Sequence, residues 1–327
     1  MSVDLKIEMT GPGGVERLEP VPCEPQSPGE GEIRIRHDAI GVNFIDIYFR
    51  SGLYPLPAYP AVLGVEGAGI VEAIGAGVTG LSPGDRIAYA GAPVGAYAST
   101  RLLPQARAIR LPDRISTELA AASMLRGLTA HMLLKHIYSV GPETSLLVHA
   151  AAGGLGAMLV RWAKHLGATV IGTTGSPAKA AMAVAHGADH VIVGRDADIE
   201  KEVRTLTNGS GVNYAIDGIG GDMLQRTLAC VRPFGLVASI GQAAGLIPAL
   251  SVEALGPRRS ISLARPSVMG YSADPALYRA AAADLFAAMA CGIVAEIGAE
   301  YPLSQAAQAQ SDLESGRTTG SLLLKPD

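Results

Sequence analysis

The sequence predicts an α/β protein made of a small, closed β-rich domain and a doubly wound parallel-sheet domain. Three observations predict this fold class. Short β-like runs separated by Gly and Pro fill residues 1–125, strands and helices alternate from there to about residue 268, and a glycine-rich turn joins the first strand of that series to its helix. The length of 327 residues also favours two domains over one.

The overall composition is that of a folded protein, and its charged residues do not indicate a surface that binds nucleic acid. Charged residues make up 17% and hydrophobic residues 48% of the chain, and the net charge of -4 comes with no dense run of Lys or Arg. The N-terminus has an early Asp and no apolar core, and the most apolar late segment is interrupted by Asp284 and Gly292. We therefore expect no nucleic-acid partner, no signal peptide, no membrane span and a cytoplasmic protein. Three isolated cysteines predict neither a disulfide framework nor a metal cluster.

The elements follow in order from these patterns. In the first domain, "GEIRIRHDAIGVNF" and "SPGDRIAY" read as strands fed by turn residues. A helix is predicted from about Glu118, and an Ala-rich helix near Pro275 to Met289. The C-terminal stretch "YPLSQAAQAQSDLESGRTTGSLLLKP" reads as helix, turn and strand, and its strand is a candidate to return to the first domain. The strands predicted for the parallel sheet are Ser145 to His149, Thr169 to Gly172, His190 to Val193, Val212 to Ile216 and Leu236 to Ile240.

The glycine-rich turn "AAAGGLG" favours a dinucleotide site. Ala151, Gly153 and Gly156 match the form A-x-G-x-x-G, in which the second position lets the backbone approach a pyrophosphate and the third lets the helix pack on the strand. The alternative is a turn that only packs a helix on a strand. The residues predicted to line the pyrophosphate are Ala152, Gly153, Gly154 and Leu155.

The end of the second strand predicts which dinucleotide binds. NAD sites usually present an acid there, but "VIGTTGSPAK" contains none up to Lys179. Thr174, Gly175 and Ser176 offer hydroxyl and backbone groups, and Lys179 offers a charge for a 2′-phosphate. NADPH is therefore the predicted cofactor. Ser176 also suits the N-cap of a helix, with Lys179 then a solvated lysine.

Together these residues resemble the medium-chain dehydrogenase/reductase superfamily, specifically its zinc-free, zeta-crystallin-like quinone oxidoreductases. The resemblance covers nearly the whole chain. It implies a GroES-like β-rich catalytic domain formed by residues 1–125 and 269–327, a Rossmann NADP-binding domain of residues 126–268 and, commonly, a homodimer paired through the Rossmann sheets. The stretches that carry it are "GVNFIDIYFRSGLYP", "LGVEGAGIV", "GDRIAY", "AAASMLRGLTA", "HAAAGGLG" and "ARPSVMGY".

Two positions depart from the zinc-containing relatives. By this resemblance, those relatives carry Gly-His-Glu where this chain has Gly64-Val65-Glu66, and they carry a cysteine ligand where this chain has Asn43. Valine and an amide leave no tetrahedral nitrogen and sulfur site, so we expect no metal. Glu66, left alone, reads as a structural hydrogen-bonding or ion-pairing group.

The resemblance also implies site residues. It places Asn43 and Tyr48 beside the nicotinamide or its ribose and Tyr54 near the quinone, and these three are the predicted catalytic residues. Their alternatives are a turn residue for Asn43 and aromatic packing for the tyrosines. It further places Thr129 and Arg265 in contact with the cofactor. The alternative for Thr129 is a hydroxyl that bonds back to its own helix, and the alternative for Arg265 is a contact that pairs the two domains. "SIGQ" ends a strand at the sheet's carboxyl edge, which adds Ile240, Gly241 and Gln242.

One departure bears on the cofactor. Relatives often carry Tyr or His at the position of Gly194, where that side chain covers the adenosine phosphate. Arg195 is a candidate to compensate by pairing with the 2′-phosphate, and the alternative is a softened preference for NADPH.

These features predict an NADPH-dependent quinone reductase that transfers hydride without a metal. The first alternative is an NADPH-dependent enoyl or 2-alkenal reductase, which delivers hydride to carbon and more clearly requires a placed proton donor. The second is a non-enzymatic NADPH-binding sensor or RNA-binding protein, against which the acidic charge balance counts.

Overall fold

The computed structural model describes residues 4–327. Its strands are β1 (Leu5–Met9), β2 (Glu19–Pro22), β3 (Glu32–Val42), β4 (Ala61–Val62), β5 (Glu66–Ile74), β6 (Arg86–Ala90), β7 (Thr100–Pro104), β8 (Ile109–Arg110), β9 (Ser145–Val148), β10 (Thr169–Thr174), β11 (His190–Val193), β12 (Val212–Asp217), β13 (Val231–Ser239), β14 (Ser262–Ala264), β15 (Ile297–Pro302) and β16 (Ser321–Lys325). Its α-helices are α1 (Phe44–Arg50), α2 (Thr117–His131), α3 (Gly154–His165), α4 (Pro177–Ala185), α5 (Ile199–Leu206), α6 (Met223–Ala229), α7 (Val268–Ala273), α8 (Pro275–Ala290) and α9 (Ala306–Glu314).

The chain divides into two compact units. The first runs to Leu128 and takes in Ser272–Met289 and Val294–Asp327, and the second comprises Thr129–Tyr271 and Ala290–Ile293. Helix α2 crosses the first of these boundaries. The predicted domain borders, at residues 125 and 268, lie a few residues before the corresponding breaks.

The first unit is built on a seven-stranded sheet in the order β15-β16-β3-β5-β6-β8, with β7 also paired to β3. Strand β3 alternates buried Ile33 and Ile35 with more exposed arginines, the pattern of a strand with one face in the core. The C-terminal strand β16 pairs antiparallel with β3, Leu323 beside Gly41, so the end of the chain completes this unit. A smaller sheet, β2-β1-β4, lies in the same unit.

The second unit is a six-stranded parallel sheet in the order β11-β10-β9-β12-β13-β14. Relative to the chain, that order is 3-2-1-4-5-6, the doubly wound arrangement of dinucleotide-binding domains. The predicted parallel sheet is therefore confirmed. Its central strands β9, β10 and β12 are largely buried on both faces, which explains their short, mostly apolar runs, whereas the edge strands β11 and β14 are more exposed. One core cluster includes Leu147, Ile171, Val203, Val212 and Val237.

Several elements differ from the sequence prediction. Helix α1 and strands β14 and β15 were not predicted, and β15 ends on Tyr301 and Pro302, the first two residues of the stretch that reads as helix, turn and strand. The helix predicted from Glu118 onwards is an α-helix only as far as His131, because a π-helical segment, Met132–Ile137, follows α2. Cys23, Cys230 and Cys291 are all free thiols. Across residues 4–327, the structure contains no helix with both the length and the apolar character needed to span a bilayer.

Candidate active site

The glycine-rich turn of the second unit joins the end of β9 to the start of α3. Gly153 is the N-cap of α3, and its N–H donates to the Ala150 carbonyl at 2.8 Å. A Cβ added to Gly156 would lie 2.2 Å from that same carbonyl oxygen, so glycine is what lets the helix begin so close to the turn. N–H groups of a first helical turn lack intrahelical acceptors and can bind a pyrophosphate. The predicted contacts along this turn are Ala152, Gly153, Gly154 and Leu155.

Strands β10 and β11 end side by side and bring four predicted cofactor residues together. The N–H of Gly194 donates to the Thr174 carbonyl at 2.9 Å. The Nε atom of Arg195 is 3.7 Å from the point where a Cβ on Gly175 would lie, so the exposed arginine side chain reaches over the loop that follows β10. Gly194 has a φ of 113°, a conformation that residues with a Cβ rarely adopt, which accounts for glycine here.

Helix α4 begins directly after that loop. Ser176 is its N-cap, and the Ser176 hydroxyl oxygen accepts from the N–H of Lys179 at 3.4 Å. The capping alternative for Ser176 is thus present in the structure, and it leaves the hydroxyl hydrogen available to a ligand. Lys179 lies in the first turn of the same helix, and the segment from Thr169 to Lys179 contains no acid that could accept from a ribose 2′-hydroxyl.

The carboxyl end of β13 carries a second group of predicted cofactor contacts. The N–H of Ile240 donates to the Asp217 carbonyl at 2.8 Å, and Gly241 packs against Gly218 too closely to carry a side chain. The Nη1 atom of Arg265 donates to the Ser239 hydroxyl at 2.8 Å, a contact within the second unit. A pocket of about 290 Å³ lies beside these residues, lined by Leu224, Ser239, Gln242, Ile247, Leu250, Leu263 and Arg265.

His149, which the sequence placed at the strand end before the turn, is a buried hydrogen-bonding centre. Its ring nitrogens lie 3.0 Å from the Thr173 hydroxyl and 2.8 Å from the Thr227 hydroxyl. Burial lowers the pKa of His149, an effect that the charge of Asp217 opposes. The ring therefore serves to hold β9, β10 and α6 together. Thr129, the remaining predicted contact of this unit, lies in the last turn of α2 and is half-buried.

The three predicted catalytic residues lie on and just after α1, in the first unit. Asn43 is the N-cap of α1 and is buried, and Tyr48 is buried within the helix. Tyr54 follows the helix, and its N–H donates to the Tyr48 carbonyl at 3.0 Å. The two phenol rings meet edge to face with centroids 5.3 Å apart. The structure thus joins the two predicted tyrosines in one aromatic pair, which is the packing alternative to a catalytic role.

Glu66 pairs with nearby groups in a way that does not suit a zinc site. Its Oε1 atom accepts from Asn43 Nδ2 at 2.6 Å and lies 3.6 Å from Arg126 Nη1. In the part of the chain that the structure describes, residues 4–327, no three His, Cys, Asp or Glu side chains are grouped to hold a metal ion. The residues at this position therefore do not fit a metal, and the absence of one from the protein stays a prediction.

The sequence reasoning missed Asp46, the third residue of α1. This carboxyl is fully buried, its Oδ2 atom accepts from the N–H of Asn43 at 2.9 Å, and it also accepts from the Tyr97 hydroxyl at 3.1 Å. Burial raises the pKa of Asp46 to about 7, more than its hydrogen bonds and Arg126 lower it. An Asp three residues after an Asn, as in "NFID", is the available sequence signal, because it is the spacing of a capping box.

Comparison with known proteins follows the same two-part division. A family described as alcohol dehydrogenase GroES-like domain matches residues 29–113, and one described as zinc-binding dehydrogenase matches residues 154–287. A quinone oxidoreductase from Pseudomonas aeruginosa is 42% identical over 98% of this chain and 99% of its own. A 2-haloacrylate reductase from a Burkholderia species is 40% identical over 92% of each chain.

The solved structures agree with these relatives. The crystal structure of Escherichia coli quinone oxidoreductase complexed with NADPH is 40% identical, covers 98% of this chain and 100% of its own, and superimposes with a TM-score of 0.95. Identity at this level over the full length is far beyond a shared fold. The chain therefore belongs to the quinone oxidoreductase family of the medium-chain dehydrogenases and reductases, as its sequence motifs predict.

Proposed function

We propose that this protein is an NADPH-dependent quinone reductase. The observation that carries the proposal is the full-length similarity to quinone oxidoreductases, one of which was crystallised with NADPH. The second unit adds physical support, because its glycine-rich turn and its acid-free β10 loop present N–H groups, hydroxyls and cations, the groups that bind pyrophosphate and a 2′-phosphate. When bound, NADPH supplies a hydride to the quinone.

The residues of α1 are proposed to assist that transfer by orientation and hydrogen bonding. Negative charge develops on a quinone oxygen as hydride arrives, and preorganised donors aimed at that oxygen lower the barrier. Asn43 offers an amide N–H, and Tyr48 and Tyr54 offer phenol groups. A hydroquinone anion is already delocalised, so this reaction needs less electrophilic help than alcohol oxidation.

The direct test compares electron acceptors. We expect the purified protein to oxidise NADPH rapidly with para-benzoquinone and slowly with 2-chloroacrylate at matched concentrations. Asn43→Ala and Tyr48→Phe should each lower kcat about tenfold or more, as is usual when a positioned donor is removed. Tyr48→Phe should leave the thermal midpoint nearly unchanged, whereas Asn43→Ala should lower it, because it removes the N-cap of α1 and the amide that donates to buried Glu66. Turnover with 2-chloroacrylate alone would assign the activity to alkene reduction instead, the reaction class suggested by the name of the Burkholderia relative.

Lys179 and Arg195 are proposed to select NADPH over NADH. Replacing either by Ala removes a charged donor to the 2′-phosphate, so we expect KM for NADPH to rise about tenfold, equivalent to roughly 1.4 kcal/mol. KM for NADH, which has no such phosphate, should stay the same. Lys201→Ala, which removes an exposed cation from α5, is the matched control. Equal changes for the two cofactors would show that Gly194 has removed the preference and that Arg195 does not restore it.

We also propose that the protein is cytoplasmic and forms a homodimer through its second unit. Strand β14 is an edge strand of the six-stranded sheet; Phe234, in the neighbouring strand β13, and Leu246, in the loop between β13 and β14, are 82% and 73% exposed. Large exposed apolar side chains beside a sheet edge favour association. We expect light scattering to show a dimer that Phe234→Asp or Leu246→Asp dissociates. Val184→Asp, on exposed helix α4, should leave it intact; a monomeric parent protein would refute the proposal.

A further inference from the structure

Glu66 is a fully buried carboxylate, and the proposed hydride transfer to a quinone assigns it no role. Both of its oxygens are occupied: Oε1 accepts from the Asn43 side-chain amide at 2.6 Å, and Oε2 accepts from the N–H of Leu125 at 2.7 Å. Burial raises the pKa of Glu66, and the neighbouring Arg126 and the two N–H donors oppose that rise. An anion this far from water is expensive unless its partners are fixed, so the geometry around it is a strong constraint.

Arg126 ties this carboxylate to the strand that leads into Asn43. It lies 3.6 Å from Glu66, donates through Nη1 to the Ala122 carbonyl at 3.1 Å, and donates through Nη2 to the Val42 carbonyl at 3.2 Å. The backbone leaves room for the carboxylate, since a Cβ on Gly41 would lie 2.2 Å from Glu66 Oε1. The residues just before Asn43 are thus held against Glu66 and α2.

The main chain of Asn43 is fixed from the other side by α1. Asp46 accepts from the Asn43 N–H at 2.9 Å and from the Tyr97 hydroxyl at 3.1 Å. Tyr97 in turn accepts from Gln310 Nε2 at 3.3 Å, and Arg50 donates to Gln310 Oε1 at 2.9 Å. This buried series connects the start of α1 to α9, so the backbone of Asn43 has little freedom to rotate.

We infer that Glu66 is a positioning residue for the Asn43 carboxamide, with Asp46 fixing the backbone from which that side chain extends. One N–H of the carboxamide is committed to Glu66, which sets the rotation of the amide plane and leaves the second N–H, unpaired within residues 4–327, directed one way for a ligand. The inference rests on the proposed function, because it gives Asn43 its orientation toward the reacting quinone or the nicotinamide.

A double-mutant cycle tests this role through a readout that a merely structural residue would not produce. Glu66→Gln replaces one acceptor oxygen by a donor group, so we expect kcat for para-benzoquinone to fall about tenfold through misplacement of the amide. In the Asn43→Ala background the same change should cause no further fall, because the group that Glu66 orients is gone. Equal fold-losses in the two backgrounds would overturn the inference.

The controls separate orientation from stability and from failure of the proposed function. Glu72→Gln changes the same residue type on the same strand, where it pairs with Arg34 and Arg36 and does not touch Asn43, and it should leave kcat unchanged. If Glu66→Gln does not fold, the cycle is run with Glu66→Asp, which keeps the charge beside Arg126 but shortens its reach to the amide. A wild-type protein without quinone turnover refutes the proposed function; an active wild type with an additive cycle refutes only the positioning role.

Discussion

Gly156→Ala is expected to destabilise the second unit by about 1–3 kcal/mol, the range for overpacking a close contact, and to weaken NADPH binding by about 100-fold. The added methyl group would lie 2.2 Å from the Ala150 carbonyl oxygen and 2.9 Å from the Ala151 Cα. These neighbours are backbone atoms that cannot rotate away. The start of α3 must therefore move off the turn, which displaces the N–H groups proposed to bind the pyrophosphate.

Calorimetric titration with NADPH and denaturant unfolding measure the two effects. Gly141→Ala is the matched control, because Gly141 is in the same unit, has an ordinary φ and has open space where a Cβ would be added. We expect Gly141→Ala to bind NADPH like the parent protein. Unchanged affinity in Gly156→Ala would show that the close approach of helix and turn is not needed for the cofactor.

Between pH 4 and pH 8, Asp46→Asn is expected to gain stability relative to the parent protein. The gain should reach up to about 4 kcal/mol if the full rise in the pKa of Asp46 is realised. The pKa of Asp46 rises from an ordinary 3.8 to about 7 because the carboxyl is buried. Between these values the folded state holds a proton that the unfolded state has lost. The contribution of Asp46 to stability is therefore complete below pH 3.8 and is lost as the pH rises through about 7.

The measurement is the free energy of unfolding of parent and variant between pH 4 and pH 8. The relevant quantity is the difference in free energy of unfolding between the two proteins. His37, whose pKa burial lowers to about 3, makes stability rise with pH in both proteins, so its contribution cancels in that difference. The Asp46→Asn advantage should grow with pH and level off above about 7. A constant difference across this range would mean that Asp46 ionises normally, and that the buried chain from Tyr97 to Arg50 tolerates its charge.

The sequence predicted the second unit well because its signals are local. Each of β9 to β12 is a short apolar run bounded by turn residues, and the glycine-rich turn marks where β9 gives way to α3. Strand β14 has only three residues, and β15, "IGAEYP", contains both Gly and Pro, so neither carries a periodic pattern. β15 is a strand because it pairs with β16, more than twenty residues later, a tertiary effect that local propensity does not contain.

The candidate site divides in the same way. The residues near the glycine-rich turn could be named from spacing, and Asn43, Tyr48 and Tyr54 from resemblance. Helix α1 was missed because seven residues show less than two full periods of a helix. A structural hydrogen-bonding or ion-pairing role was predicted for Glu66, but its partners could not be predicted, since Asn43 and Leu125 are 23 and 59 residues away along the chain. Arginine, glutamate and asparagine in separate motifs give no sign that they meet.

The central claim is that this protein passes hydride from NADPH to a quinone, and a single-turnover experiment tests it most directly. The protein is mixed with one equivalent of NADPH and then with excess para-benzoquinone in a stopped-flow instrument, and NADPH absorbance is followed against a heat-denatured sample. We predict complete loss of absorbance, much faster than in the denatured control, and a slower rate when the transferred hydrogen is deuterium. A rate equal to that of the denatured control, with NADPH bound, would contradict the proposed function.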